Sequence, residues 1–186
     1  MEGDPMSVAV RNRPLFFLAL LSVMLILLSP VSGFSQGYSI NAGKKAVLNQ
    51  PMHVRCGPGR AYTDLGTYFD SGTNISTLTS ARDGNGNCWI QVEFSAQGGL
   101  RRGYAPADCL SIEPGSLPAE SSIGQYTVSQ DCSGRFGPGA NYASQNVTAF
   151  AGTAVTVFAF ENNYALIEFR TENGNLIRTW IPRSVL

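Results

Sequence analysis

From residue 73 onward, the apolar and polar positions alternate as in strands. Thr153-Ala154-Val155-Thr156-Val157-Phe158-Ala159-Phe160 exchanges small or polar side chains for large apolar ones with a period of two. Thr73-Asn74-Ile75-Ser76-Thr77-Leu78-Thr79 is also rich in β-formers, with a less regular alternation. In Trp89-Ile90-Gln91-Val92-Glu93-Phe94 the residues Ile90, Val92 and Phe94 share one face. Trp89 is thereby expected on the opposite, half-exposed face. Asp83-Gly84, Asn85-Gly86, Gly98-Gly99 and Asn173-Gly174 supply the positive φ that hairpin turns require. No stretch after the N-terminal segment holds helical periodicity for three turns. Short strands at intervals of roughly ten residues predict an all-β chain built as a small barrel or sandwich.

The pattern occurs twice. Arg55-Cys56-Gly57-Pro58-Gly59-Arg60-Ala61-Tyr62 returns as Arg135-Phe136-Gly137-Pro138-Gly139-Ala140-Asn141-Tyr142, and both are followed by Gly-Thr, at Gly72-Thr73 and Gly152-Thr153. Val92-Glu93-Phe94 matches Ile167-Glu168-Phe169, and Arg102 through Leu110 matches Arg178 through Leu186. The offset falls from 80 to about 76, mainly at one turn, where Ala81 to Asn87 faces the shorter Glu161-Asn162-Asn163. Length variation confined to a turn marks a duplicated unit, because loops tolerate insertion. The expected units are 44–113 and 123–186, joined by a semi-extended Pro- and Ser-containing linker at 114–122.

The segment 1–33 reads as an export signal or N-terminal anchor. Arg11 and Arg13 precede an apolar run from Leu15 to Leu28, and Val31-Ser32-Gly33 offers small residues for a cut before Phe34. The run is short against the about twenty residues of a membrane span, which favours cleavage. If uncut, residues 15–31 are the chain's only expected hold on a membrane, and either way the rest is expected to be secreted or at the cell surface. In such a compartment Cys56, Cys88, Cys109 and Cys132 are expected to form disulfides or to remain as inert buried thiols. A bond from Cys109 to Cys132 would join the two units, while alternation turns Cys56 and Cys88 toward the first unit's interior. Zinc is disfavoured by the wide spacing of the cysteines and the single histidine, His53.

Charge adds little. The 13 basic and 13 acidic residues cancel, so no global field draws the chain to nucleic acid. The carboxylates are scattered, and the Gly-Pro-Gly segments lack the Lys-Ser or Lys-Thr of a phosphate loop. No catalytic constellation, cofactor or metal site is expected, and His53 reads as a polar residue at a strand edge. Arg55 and Arg135 are expected to buttress the neighbouring loop, the alternative being to hold a ligand carboxylate.

The order of motifs resembles the bacterial Src-homology-3-like domain family. Arg55-Cys56-Gly57-Pro58, Gly72-Thr73, Trp89-Ile90-Gln91-Val92, Gly103-Tyr104-Ala105 and Leu110 stand in that family's order. So do Arg135-Phe136-Gly137-Pro138, Gly152-Thr153, Tyr164-Ala165-Leu166-Ile167, Thr179-Trp180-Ile181 and Leu186. The tandem form also resembles a group of exported proteins of anaerobic Gram-positive bacteria. Trp89 becomes Tyr164 and Gly103 becomes Thr179 in the second copy, and Pro106 and Pro182 depart from the family pattern. The resemblance implies two tandem small β-barrels and a non-catalytic binding role toward peptidoglycan or an extracellular peptide. The alternative is a structural protein that contacts another envelope protein. It also implies an aromatic groove formed by Tyr62, Tyr68, Trp89 and Tyr104 in one copy and Tyr142, Tyr164 and Trp180 in the other, although such side chains also serve as core.

Overall fold

The computed structural model describes residues 43–186, so the apolar run and the expected cleavage position lie outside the described residues. The first repeat supplies β1 (Lys44–Val47), β2 (Met52–Arg55), β3 (Asp64–Phe69), β4 (Asn74–Arg82), β5 (Cys88–Ala96) and β6 (Gly99–Pro106). The second supplies β7 (Gly124–Thr127), β8 (Cys132–Arg135), β9 (Ser144–Ala149), β10 (Ala154–Glu161), β11 (Tyr164–Arg170) and β12 (Leu176–Pro182). Each set forms one six-stranded antiparallel sheet, in the orders β1-β4-β5-β6-β2-β3 and β7-β10-β11-β12-β8-β9. The chain is all-β, and the duplication seen in sequence is a duplication of topology.

Closure of each sheet into a barrel was the expectation, and it is not met. The edge strands β1 and β3 do not pair with each other, nor do β7 and β9. The β2–β3 hairpin hangs on β6 through the single pair Arg55↔Tyr104, and β8–β9 hangs on β12 through Trp180↔Arg135. Register shifts at Val54/Arg55 and Thr77/Ser80 bend the first sheet over its core instead of carrying the hydrogen-bond ladder round to its own edge.

The turn that differs in length follows local chemistry. In the second repeat Asn162 and Asn163 both take positive φ, 48° and 65°, so two residues close the β10–β11 hairpin. The longer first-repeat turn is organised by Asp83. Its carboxylate accepts the amides of Asn85 and Asn87, the Asn87 side-chain amide and the Trp89 indole N–H. These donors, the Asn87 side chain foremost, hold the Asp83 carboxyl below the usual carboxylate range.

The first core gathers Leu48, Val54, Ile90, Val92 and Ala105, and the second gathers Val155, Val157, Ala165, Ile167 and Ile181. Ile90 and Val92 point inward as alternation predicts, yet Trp89 and Gln91 on the opposite face are only 5% and 1% exposed. Gln91, Tyr104, Leu166 and Trp180 are buried where the two repeats pack against each other, whereas Trp89 is covered by Ala81, Tyr104 and the Asp83 turn.

Of the two alternatives for the cysteines, disulfides are not formed, and Cys56 and Cys109 are buried while Cys88 and Cys132 are half-buried. All four are free thiols. Cys109 sits in the first core, where its sulfur accepts from Gln50 Nε2, whereas Cys132 packs against the second core, so the expected bond between them is not formed. Cys56 does not enter the first core. It follows the end of β2 at Arg55, and its thiol packs with the second repeat, 3.8 Å from the Leu176 carbonyl oxygen.

Candidate functional site

The Gly-Pro-Gly segments are built to carry a tyrosine across to the other repeat. A Cβ on Gly57 would lie 2.1 Å from Tyr62 Cδ1, and one on Gly137 would lie 2.0 Å from Tyr142 Cδ1. Only glycine lets each ring lie against the backbone here. Arg55 Nη1 donates to the Tyr62 carbonyl oxygen at 2.8 Å, and Arg135 Nη1 donates to that of Tyr142 at 3.0 Å. Both arginines therefore buttress the loop.

Each tyrosine then meets an ion pair on the opposite repeat. Tyr62 donates its hydroxyl proton to Glu168, which also accepts from Arg178 Nε at 2.7 Å. Tyr142 donates to Glu93, which accepts from Arg102 Nε at 2.8 Å. The backbone repeats the reciprocity, with parallel bridges Tyr62↔Leu176 and Leu100↔Tyr142. Such an interface is isologous: equivalent residues on the two repeats exchange equivalent contacts.

A second carboxylate serves each arginine, and here the symmetry breaks. Glu161 on β10 accepts from Arg102 Nη1 at 2.7 Å. Its counterpart in the first repeat is Ala81, so Arg178 takes Glu120 from the linker instead, at 2.6 Å. Arg178 further stacks on Phe158, 3.7 Å from the ring centroid, while Tyr104 donates to Glu120. Burial opposes the charge on both arginines, yet their carboxylate and hydroxyl partners hold each guanidinium above its ordinary range. Desolvation pushes the hydroxyls of Tyr62, Tyr104 and Tyr142 well up, so all three are phenols at neutral pH.

These contacts decide the fate of the seven candidate aromatics. Tyr62, Trp89, Tyr104, Tyr142 and Trp180 are buried, Tyr62 and Trp89 beside an open groove of the first repeat and Tyr104, Tyr142 and Trp180 at the surface between the repeats. Tyr164 is half-buried against the Trp180 cluster. Tyr68 is 51% exposed on β3, edge-on to His53 and away from the others. His53 sits on β2 with Nδ1 3.3 Å from Asp64 Oδ2.

The open groove lies on the first repeat. It encloses about 880 Å³ between the Pro58–Tyr62 loop and the Arg82–Asn87 turn. Cys88, Trp89, Pro106 and Ala107 line its base, and Leu176 of the second repeat closes one side. Arg82 is tied to the Gly86 carbonyl oxygen and Asp83 to the turn. Arg60 and Asp108 are exposed at the mouth, and among the described residues the only polar side-chain contact at either is the Cys109 thiol beside Asp108. A cation and an anion without an ionic partner among the described residues thus flank a partly apolar slot.

No family model, curated protein or solved structure matches the chain. Functional reading therefore rests on the groove and the surface between the repeats. The Glu93–Arg102 and Glu168–Arg178 pairs that join the repeats are not marked by any motif in the sequence. A signal for them was present: in a chain with 14% charged residues, both pairs recur at matching places in the two copies.

Proposed function

We propose that the chain is a non-catalytic binding module of the cell envelope, of Src-homology-3-like descent, exported by its N-terminal segment, and that the first-repeat groove holds an extended peptide. The observation that carries this is the groove itself, with the Trp89 and Pro106 surface at its base and Arg60 and Asp108 exposed at its mouth. Extended peptides fit slots with apolar walls and a few fixed charges. Peptidoglycan stem peptides are the favoured ligand, because they present free carboxylates and amines on a short extended chain.

Retention on purified peptidoglycan sacculi tests the reading. The full-length chain in mild detergent is expected to be retained, and Arg60→Glu and Asp108→Lys to be retained about tenfold less, each reversal removing on the order of 1–2 kcal/mol of charge pairing. A wild type that washes through sinks wall targeting. A second reading, contact with another envelope protein, is favoured by Tyr68 and Phe150, each 51% exposed. Loss of a protein partner in cross-linking on Tyr68→Ser plus Phe150→Ser, with sacculus binding absent, would support it.

A further inference from the structure

We infer that the groove is a composite of both repeats, so that a ligand is held only while the repeats are docked and its binding in turn locks the docking; this rests on the binding reading above. Two residues carry the link. Tyr62 lines the groove, and its hydroxyl donates to Glu168 of the second repeat. Leu176 belongs to the second repeat yet lines the same groove, where it bridges to the Tyr62 backbone.

The wall is held from behind. Leu176 opens β12, and two residues further on Arg178 binds Glu168, the carboxylate that takes the Tyr62 proton. The Leu176 carbonyl oxygen also faces the Cys56 thiol, on the strand end that leads into the Gly-Pro-Gly loop. Separating the repeats removes Leu176 from the groove and frees the Tyr62 hydroxyl in one step. An occupant touching both walls therefore has higher affinity for the docked state, and linkage requires it to stabilise that state by the same factor. Neither repeat alone supplies this site.

Sacculus retention of the full-length chain separates the possibilities when four variants are compared. Tyr62→Phe keeps the ring and deletes the cross-repeat bond, and Glu168→Gln weakens the same bond from the other side. Arg60→Glu alters the groove mouth, and Val128→Ala loosens the core that Tyr62 also joins, at a residue that neither lines the groove nor bonds to Tyr62, Glu168 or Arg178. Tyr62→Phe and Glu168→Gln are expected to lower retention about fivefold or more, the low end of allosteric coupling, with β circular dichroism unchanged. Val128→Ala is expected to bind as wild type below its melting temperature. If Glu168→Gln does not fold, Tyr62→Phe alone decides. Full retention of Tyr62→Phe beside loss on Arg60→Glu overturns the composite site and leaves the groove. A wild type that is not retained overturns the binding reading itself, and the inference with it.

Discussion

At the scale of single residues, the two copies solve one packing problem from opposite strands. A Cβ at Gly103 would lie 2.4 Å from Val54 Cγ1, and a Cβ at Gly134 would lie 2.1 Å from Thr179 Oγ1. Gly134 is the counterpart of Val54, and Thr179 that of Gly103. The large partner has moved across the sheet and the glycine has moved to meet it. The Gly103-to-Thr179 change, which looked in sequence like a departure from the motif, is half of a compensated exchange. Gly103→Thr alone is expected to destabilise by about 1–3 kcal/mol through overpacking. Adding Val54→Gly should recover part of that, because the Arg55 carbonyl oxygen and Leu65 Cδ1 would still lie 2.9 Å from the new Cβ, and glycine in a strand itself costs roughly 0.5–1 kcal/mol. A double-mutant cycle by urea unfolding measures the coupling. Additive losses would show that the two positions do not share the space.

At the scale of elements, β10 and β11 were legible because each has one face with a single fate. Val155 and Val157 point into the core as the alternation requires. The outer face of β5 was illegible for a physical reason. Period two separates the two faces of a strand but does not say whether the outer one will be covered, and Trp89 and Gln91 are covered. The semi-extended linker that its prolines and serines suggest also pairs with the first repeat: Ala119 bridges Ser80 of β4, and the Ser80 amide donates to the Pro118 carbonyl oxygen at 2.9 Å. This edge pairing delivers Glu120 to Arg178, and its other oxygen accepts the Thr79 hydroxyl proton at 2.6 Å. Glu120→Ala leaves a buried guanidinium with one carboxylate instead of two. The expected loss approaches the about 3–5 kcal/mol of a broken buried ion pair, read as a lower denaturant midpoint. Glu113→Ala, at the exposed start of the linker, should cost less than about 0.5 kcal/mol. Equal effects would show that Glu120 is merely a linker residue.

At the scale of the molecule, the surface between the repeats is polar at its centre, and its protonation state sets how stability responds to pH. Burial raises the hydroxyls of Tyr62, Tyr104 and Tyr142 above their ordinary value of 10.0. In the unfolded chain these phenols ionise near pH 10, whereas in the folded chain they keep their protons, so above that pH the unfolded state binds fewer protons. Their contribution is present in full below pH 10 and is lost as pH rises toward the folded values. Each tyrosine then lowers stability by up to about 1.4 kcal/mol per pH unit. The buried Cys56 thiol, raised by desolvation, adds a loss of the same sign that begins at its ordinary value of 9.0. Ionisation also places a phenolate beside Glu168, Glu120 or Glu93, the carboxylates that each hydroxyl now serves. Separation of the repeats should therefore precede loss of either core: between pH 10 and 11.5 tryptophan emission should shift to the red while β circular dichroism persists. Tyr62→Phe plus Tyr142→Phe should flatten the alkaline slope, although it lowers stability at neutral pH by removing two cross-repeat bonds. A double variant with the wild-type slope would place the alkaline transition elsewhere than between the repeats.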